Sequence, residues 1–256
     1  MQPVRPEFVP DPALSREAME ELQRDIAAEA RFEDDLSIDP ATLDAETAST
    51  GAPPLVAGVD QAFVDDLAVS AIVVLQGSEV VERVSAAVET EIPYIPGLLS
   101  FREGGAILAA FEQLDHEPDV AFFDGSGRIH YREAGLATHV GVTLDLPAIG
   151  VAKRLLCGSP AESLDEKWPT GKRVAITADE SVETATPGTT IGYAVQTRQF
   201  ASAGRHVNPV YVSPGHRVSA ATAADLALAT CAGYKLPEPT RQADAFADEA
   251  KTDLGK

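Results

Sequence analysis

Lysine is nearly missing from this chain. Only Lys153, Lys167, Lys172, Lys235, Lys251 and Lys256 occur in 256 residues, and with the arginines they give 20 basic side chains against 40 acidic ones. The formal net charge is −20. Such a balance argues against non-specific attraction to nucleic acid at low salt, though not against a local basic groove. It is the composition of a cytosolic protein from a high-salt organism, where acidic side chains keep the surface hydrated. Cysteine is also scarce: Cys157 and Cys231 sit among apolar or small residues, which reads as packed, reduced thiols rather than a disulfide or a metal site. No apolar run approaches the roughly 18–20 residues of a membrane span. The first 20 residues lack a basic-then-apolar leader pattern, so the expected location is cytoplasmic, with no membrane partner. Glycine-rich phosphate loops, GxSxG and Cys-His nucleophile patterns are absent as well.

What is present suggests one sizeable core behind an acidic extension. Residues 1–50 hold 13 acidic and 4 basic side chains. They read as a solvated appendage with one helix, capped by Asp11 or Ser15, and "STGAPP" (49–54) reads as a linker. The expected domains are therefore 1–54, extension and linker, and 55–256, the catalytic unit. Apolar runs at 55–63, 67–76 and 79–88, split by Asp65-Asp66 and Gly77-Ser78, predict three antiparallel strands in hairpins. A helix is expected over 100–114, with Ser100 and Glu103 as a capping box. A strand that ends at Asp124 in a glycine turn (118–127) and a strand at 147–153 flank a helix at 131–145. Short strands follow near 172–178, 191–197 and 209–213, then a helix at 219–234 and a polar tail. This order predicts an α/β fold, a mixed sheet covered by helices.

Three acids fall at element ends. Asp60 closes the first strand, Asp124 closes a later one, and Glu103 lies in a first helical turn. Carboxylates that converge repel unless a cation joins them, and oxygen ligands suit magnesium or manganese rather than zinc. The alternative is plain: Asp60 and Asp124 as turn residues and Glu103 as a cap, about equally weighted on spacing alone. His216, in "VSPGHRVS", can bind a metal or orient a water, or be a satisfied loop histidine. Lys153 ends a buried strand and either faces the same site or snorkels to solvent.

Six blocks then stand in a telling order: "VAGVD", "YIPGLLSFRE", "PDVAFFDGSGRIHYREAGLATHVGV", "PAIGVAKRLLCG", "NPVYVSPGHRVS" and "GYKLPEPTRQAD". Over residues 55–244 the chain resembles the endonuclease V family. The resemblance implies a ribonuclease H-like mixed sheet flanked by helices. It also implies a repair enzyme, here from a halophilic archaeon, that recognises deoxyinosine in DNA. Such an enzyme nicks the second phosphodiester bond 3′ to the lesion with Mg2+, for which Mn2+ can substitute. Asp60, Glu103 and Asp124 match the family's metal-binding acids, Lys153 a lysine near the scissile phosphate, and His216 the histidine of the GHR block.

Pro93-Tyr94-Ile95-Pro96 resembles the family's wedge. Its prolines fix the turn, so an apolar tip can fill the gap left by an extruded base at little ordering cost. Gly97, Leu99, Gly125, His130, Gly135 and Leu136 are then expected around the base, with His139 nearby. Gly104-Gly105 and the loop 199–207 depart from the family pattern. The expected partner is deoxyinosine-containing DNA, acted on by a monomer. Inosine-containing RNA, or lesion binding without catalysis, are the alternatives. The acidic balance further implies a shallow dependence of DNA binding on salt.

Overall fold

The computed structural model describes residues 1–38, 43, 52–90, 92–202 and 204–254, so residues 49–51 of the expected linker lie outside the described residues. Strands β1 (Leu55–Val64), β2 (Leu67–Gln76) and β3 (Glu79–Glu89) form the expected antiparallel hairpins. Their turns place Asp65 and Gly77 at positive φ, which a short aspartate side chain and a glycine tolerate. β1 and β2 are apolar on both faces and run through the centre. β3, with Glu79, Glu82, Arg83 and Glu89, is a charged edge strand.

After helix α2 (Leu99–Phe111), β4 (Val120–Asp124) pairs parallel to β1. Helix α3 (Leu136–Leu144) then carries the chain to β5 (Ala148–Ala152), parallel to β4. Beyond β6 (Ser159–Pro160), β7 (Arg173–Thr177), β8 (Thr190–Val195) and β9 (Val210–His216) extend the sheet antiparallel. The strand order is β3-β2-β1-β4-β5-β9-β8-β7-β6. This is the mixed, helix-flanked sheet that the sequence pattern predicts.

Side-chain alternation assigns the two faces. Ala57, Val59, Ala121 and Phe123 face α2 and α3, packing on Ile107, Phe111 and Val140. Val56, Val120, Phe122 and Ile149 face helix α4 (Ala220–Ala229). The remaining stretch is not the expected polar tail. It is a 17-residue helix, α5 (Glu238–Leu254), that buries Thr240, Ala243 and Ala247 against β1 and β2. Its many charges lie on the opposite face and mask a narrow stripe of small residues. A Cβ on Gly58 would stand 1.9 Å from the carbonyl oxygen of Pro239, so the bare backbone there is what lets α5 lie on β1.

The N-terminal segment is not an appendage either. After a 3-10 turn at Pro6–Phe8, helix α1 (Arg16–Glu29) starts at Ser15, whose hydroxyl accepts the Ala18 N–H at 3.2 Å. Phe8, Met19, Gln23 and Ile26 are buried, and the Val4 N–H donates to the Thr143 carbonyl of α3. The segment's acidic excess is real, but a buried stripe runs through it. Arg16 pairs with Glu20 within α1, while Arg24 and Arg31 tie the segment to Glu183 and Asp145.

The Gly58 contact yields a test. Gly58→Ala should force α5 away from β1 and lower stability by about 1–3 kcal/mol, as overpacking does. Denaturant unfolding measures it; a wild-type midpoint would show that α5 is not seated as described.

Candidate active site

β4 ends where β1 continues. Val59 pairs with Phe123, so Asp60 lies within β1, level with Asp124, and not at the strand end expected from the sequence. Both side chains belong to the set that alternates towards α5, and α5 adds Asp244. One carboxylate oxygen from each of Asp60, Asp124 and Asp244 lies within 4.8 Å of the others. Lys153 follows β5 and donates to Asp124 Oδ2 at 2.8 Å, with Asp244 Oδ1 at 3.8 Å. Glu103, in the second turn of α2 and not the first turn expected from the sequence, is close enough to feel the charges of Asp60 and Asp124.

Burial and mutual repulsion dominate the electrostatics. Asp60 is 8% exposed and Glu103 7%. Loss of solvation, then the neighbouring Asp124, raise the Asp60 carboxyl to about 7. Burial pushes Glu103 to about 8, with Asp60 and Asp124 adding to it and Arg102 opposing. For Lys153 burial works against the charge, but its hydrogen bond and attraction to Asp124, with Asp244 and Asp60, more than offset this and raise it. An all-oxygen donor set gathered around one lysine fits a hard divalent cation such as Mg2+ or Mn2+.

Two expectations about this site change. Ser100 and Glu103 do not form a capping box: α2 begins after Leu98 without a side-chain cap, and Ser100 Oγ pairs with His139 Nδ1 at 2.8 Å. Glu103 is thereby left to the acidic group. His216 is not among the acids. It ends β9 opposite Ala148, the first residue of β5, whereas Lys153 lies beyond the last, roughly 16 Å away along the strand. His216 is 1% exposed; its Nδ1 accepts from the Arg31 N–H at 3.2 Å and its Nε2 donates to Asp145 Oδ1 at 3.1 Å. Asp244 stands where sequence reading looked for His216. The block "GYKLPEPTRQAD" ends on it, but the polar surroundings read as tail.

The other expected residues come together. Tyr94, 65% exposed, stands just before a turn in which the Leu98 N–H donates to the Ile95 carbonyl at 3.0 Å. Ile95 instead packs towards Met19, Leu98 and Phe101. Behind the turn lies a cavity of about 440 Å³. Pro96, Gly97, Leu99, Gly125, His130, Gly135 and Leu136 line it, as do Asp124 and Lys153.

Sequence reading missed what holds this wall. Gly97, at φ +84, turns its carbonyl to accept from Gln23 Nε2 at 2.8 Å and His130 Nε2 at 3.0 Å. Arg132 donates to Gln23 Oε1 at 2.8 Å and, through its backbone, to His130 Nδ1 at 3.2 Å. Burial drives His130 down to about 3, so it stays neutral with its proton on Nε2. The buried polar position within α1 was the available signal for Gln23.

A carboxylate cluster on a mixed sheet, a lysine beside it and a base-sized cavity define a phosphodiester hydrolase. The comparisons with known proteins agree. The family model for endonuclease V matches residues 41–245. Endonuclease V of the archaeon Haloarcula marismortui is 67% identical over 265 residues, covering 98% of each chain. The crystal structure of endonuclease V from Streptomyces avermitilis matches with a TM-score of 0.76 at 30% identity, covering 100% of both chains. Endonuclease V of Ciona intestinalis, in complex with a 24-mer DNA containing an inosine followed by a ribo-adenosine, shares the fold at 23% identity. Its TM-score is 0.71 and the match covers 93% of this chain and 98% of that one. The chain belongs to the endonuclease V family, a family of nucleases.

The raised acids set a pH dependence in metal-free buffer. Folded Asp60 and Glu103 bind protons more tightly than the unfolded chain, whose carboxyls titrate near 4. Their contribution is therefore fully present below about pH 4 and is lost as pH rises through about 7 to 8. At about 1.4 kcal/mol per pKa unit the two account for several kcal/mol. Unfolding midpoints in EDTA should fall across this window, and Glu103→Gln should flatten the slope. A slope unchanged in Glu103→Gln would remove Glu103 from this account.

Proposed function

We propose that this chain is a repair endonuclease that recognises deoxyinosine in DNA and hydrolyses the second phosphodiester bond 3′ to it, leaving 3′-hydroxyl and 5′-phosphate ends. The observation that carries the reading is the shared wall: Asp124 and Lys153 line the same cavity as Tyr94, Ile95 and Pro96. An extruded base and a phosphate further along the strand can then be held at once. The inosine-containing DNA bound by the Ciona intestinalis protein supports the choice of base.

Asp60, Asp124 and Asp244 are the residues that would hold a divalent cation, Mg2+ or Mn2+, with Glu103 beside them. Bound there, the cation would supply an activated water and neutralise charge on the leaving oxygen. Lys153 Nζ is placed to hold a phosphate oxygen after exchanging its contact with Asp124. Tyr94, exposed on a turn stiffened by two prolines, fills the space of the extruded base. Extrusion costs a few kcal/mol, least where pairing is poor, which favours inosine over adenine. Gly97, Gly125 and Gly135 let the backbone of the lining pack closely, since a Cβ on Gly135 would stand 2.3 Å from the Ser126 carbonyl oxygen. A pocket edge that pairs with the 6-carbonyl and ring N–H of hypoxanthine rejects adenine, which reverses both groups.

An end-labelled duplex with one deoxyinosine, in Mg2+ and high KCl, tests the reading. The expected nick lies one nucleotide beyond the lesion, and is absent in EDTA and from undamaged duplex. Cutting of an inosine-containing RNA alone would move the activity to RNA. Asp124→Asn and Asp244→Asn should each slow cutting at least about a hundredfold. His216→Ala should lower stability and leave the cutting step near wild type. A hundredfold loss in His216→Ala, with Asp244→Asn active, would reverse the assignment of the site.

Tyr94→Ala is expected to act differently from the acid variants. KM for the deoxyinosine duplex should rise by about tenfold or more, as for loss of one base-stacking contact, with less effect on kcat. An unchanged KM would dismiss the wedge role.

A further inference from the structure

Acids outnumber bases two to one here, so carboxylate partners abound. Most lysines and arginines have one: Arg24 with Glu183, Arg31 with Asp35 and Asp145, Arg173 with Asp225, and Arg217 with Asp35 are examples. Among the described residues, the cations without an ion pair are Arg102, Arg154, Lys167, Arg198, Arg205, Lys235 and Lys251. Lys251 belongs to α5; the other six belong to the active edge or to the loop beside it.

Register fixes that placement. Ala152, just before Lys153 and Arg154, pairs with Tyr211, and Val210 pairs with Val195. The loop between β8 and β9 therefore leaves the sheet at the end where the carboxylates lie. Gln196 clamps its base, donating to the carbonyls of Arg198 and Val207, both at 2.6 Å. Thr197 donates to the carbonyl of Lys235 at 2.5 Å, and Lys167 to that of Ser202. Phe200 holds two guanidiniums against its ring, with Arg198 at 5.0 Å and Arg205 at 4.7 Å from the ring centre. An aromatic ring, rather than a carboxylate, holds both arginines and leaves their charge uncompensated.

The sequence shows the same exclusion. No acidic residue occurs between Glu183 and Asp225, between Asp145 and Glu162, or between Asp225 and Glu238. In a chain with 40 acidic residues among 256, a gap as long as the first is not a composition effect. These three stretches supply the end of β5, the β8–β9 loop and the loop carrying Lys235.

We propose that the β8–β9 loop, with Arg198 and Arg205 stacked on Phe200, and the neighbouring Arg154 and Lys235 form a track for the phosphate backbone of duplex DNA flanking the cut site. The reading rests on the nuclease assignment for its direction, but phosphate contacts carry no base specificity, so undamaged duplex should use the track as well. Unpaired cations in a field of carboxylates confine a polyanion to one path, away from the acidic remainder of the surface.

Anisotropy titrations of long undamaged and deoxyinosine duplexes over a range of KCl, with Ca2+ in place of Mg2+, test this on the full chain. The double variant Arg198→Gln, Arg205→Gln should weaken both duplexes and reduce the slope of log K against log[KCl] by about two. Lys251→Gln, an unpaired cation elsewhere, should leave the slope unchanged. Cutting of a duplex too short to reach the loop should be the same in wild type and double variant, with equal unfolding midpoints. An unaltered slope in the double variant, or an equal change in Lys251→Gln, overturns the track. An effect confined to inosine-containing RNA overturns the duplex assignment. Failure of wild type to cut at deoxyinosine would refute the repair reading, while the slope on undamaged duplex would still decide the track.

Discussion

Three aspartates and a glutamate that would separate if free are held together by apolar packing around them. β1 and β4 are locked in parallel register by Ala57, Val59, Ala121 and Phe123 beneath α2 and α3, which places Asp60 and Asp124 side by side. α5 is pressed onto β1 through the bare backbone of Gly58, which brings Asp244 to them. The raised carboxyls of Asp60 and Glu103 are the electrostatic record of that confinement. A site built this way attracts a small hard cation because the scaffold has already met the cost of assembling the ligands.

The cavity depends on a second device, neutral histidines bonded at both ends. His130 joins Gly97 to Arg132, His139 joins Phe8 to Ser100, and His216 joins Arg31 to Asp145. Burial lowers all three, so each works as one donor and one acceptor of fixed direction. Two of them tie the first 31 residues to the core, and Gln23 from the same segment supports the Gly97 carbonyl. The acidic N-terminal segment is therefore part of the cavity wall.

The legible parts of this fold were those where one periodicity dominates. β1, β2 and β3 were apparent to within a residue, because apolar runs broken by Asp65-Asp66 and Gly77-Ser78 admit few other readings. Asp60, Glu103, Asp124 and Lys153 came to attention as polar groups in apolar surroundings. α5 and Asp244 escaped because their buried stripe is made of Thr240, Ala243 and Ala247, which carry little hydrophobic signal beside so many charges. His216 misled for the converse reason: a histidine between a strand and a helix looks reactive, and only strand register shows which end of the sheet it occupies. Gln23 was hidden in an acidic helix whose exposed face outweighed its buried one.

Net charge is a poor guide to what such a surface can bind. A value of −20 averages over a surface crowded with acids and a loop between β8 and β9 that has none. What decides the local field is pairing: Arg173 beside Asp225 is close to neutral at a distance, whereas Arg198 and Arg205 on Phe200 keep their full charge. Salt strengthens the contrast. At molar ionic strength the screening length falls to about 3 Å, so distant acids no longer repel a phosphate while cations in direct contact still hold it. An acidic protein in concentrated salt can thus grip DNA through a few unpaired cations, provided that its sequence keeps carboxylates away from them.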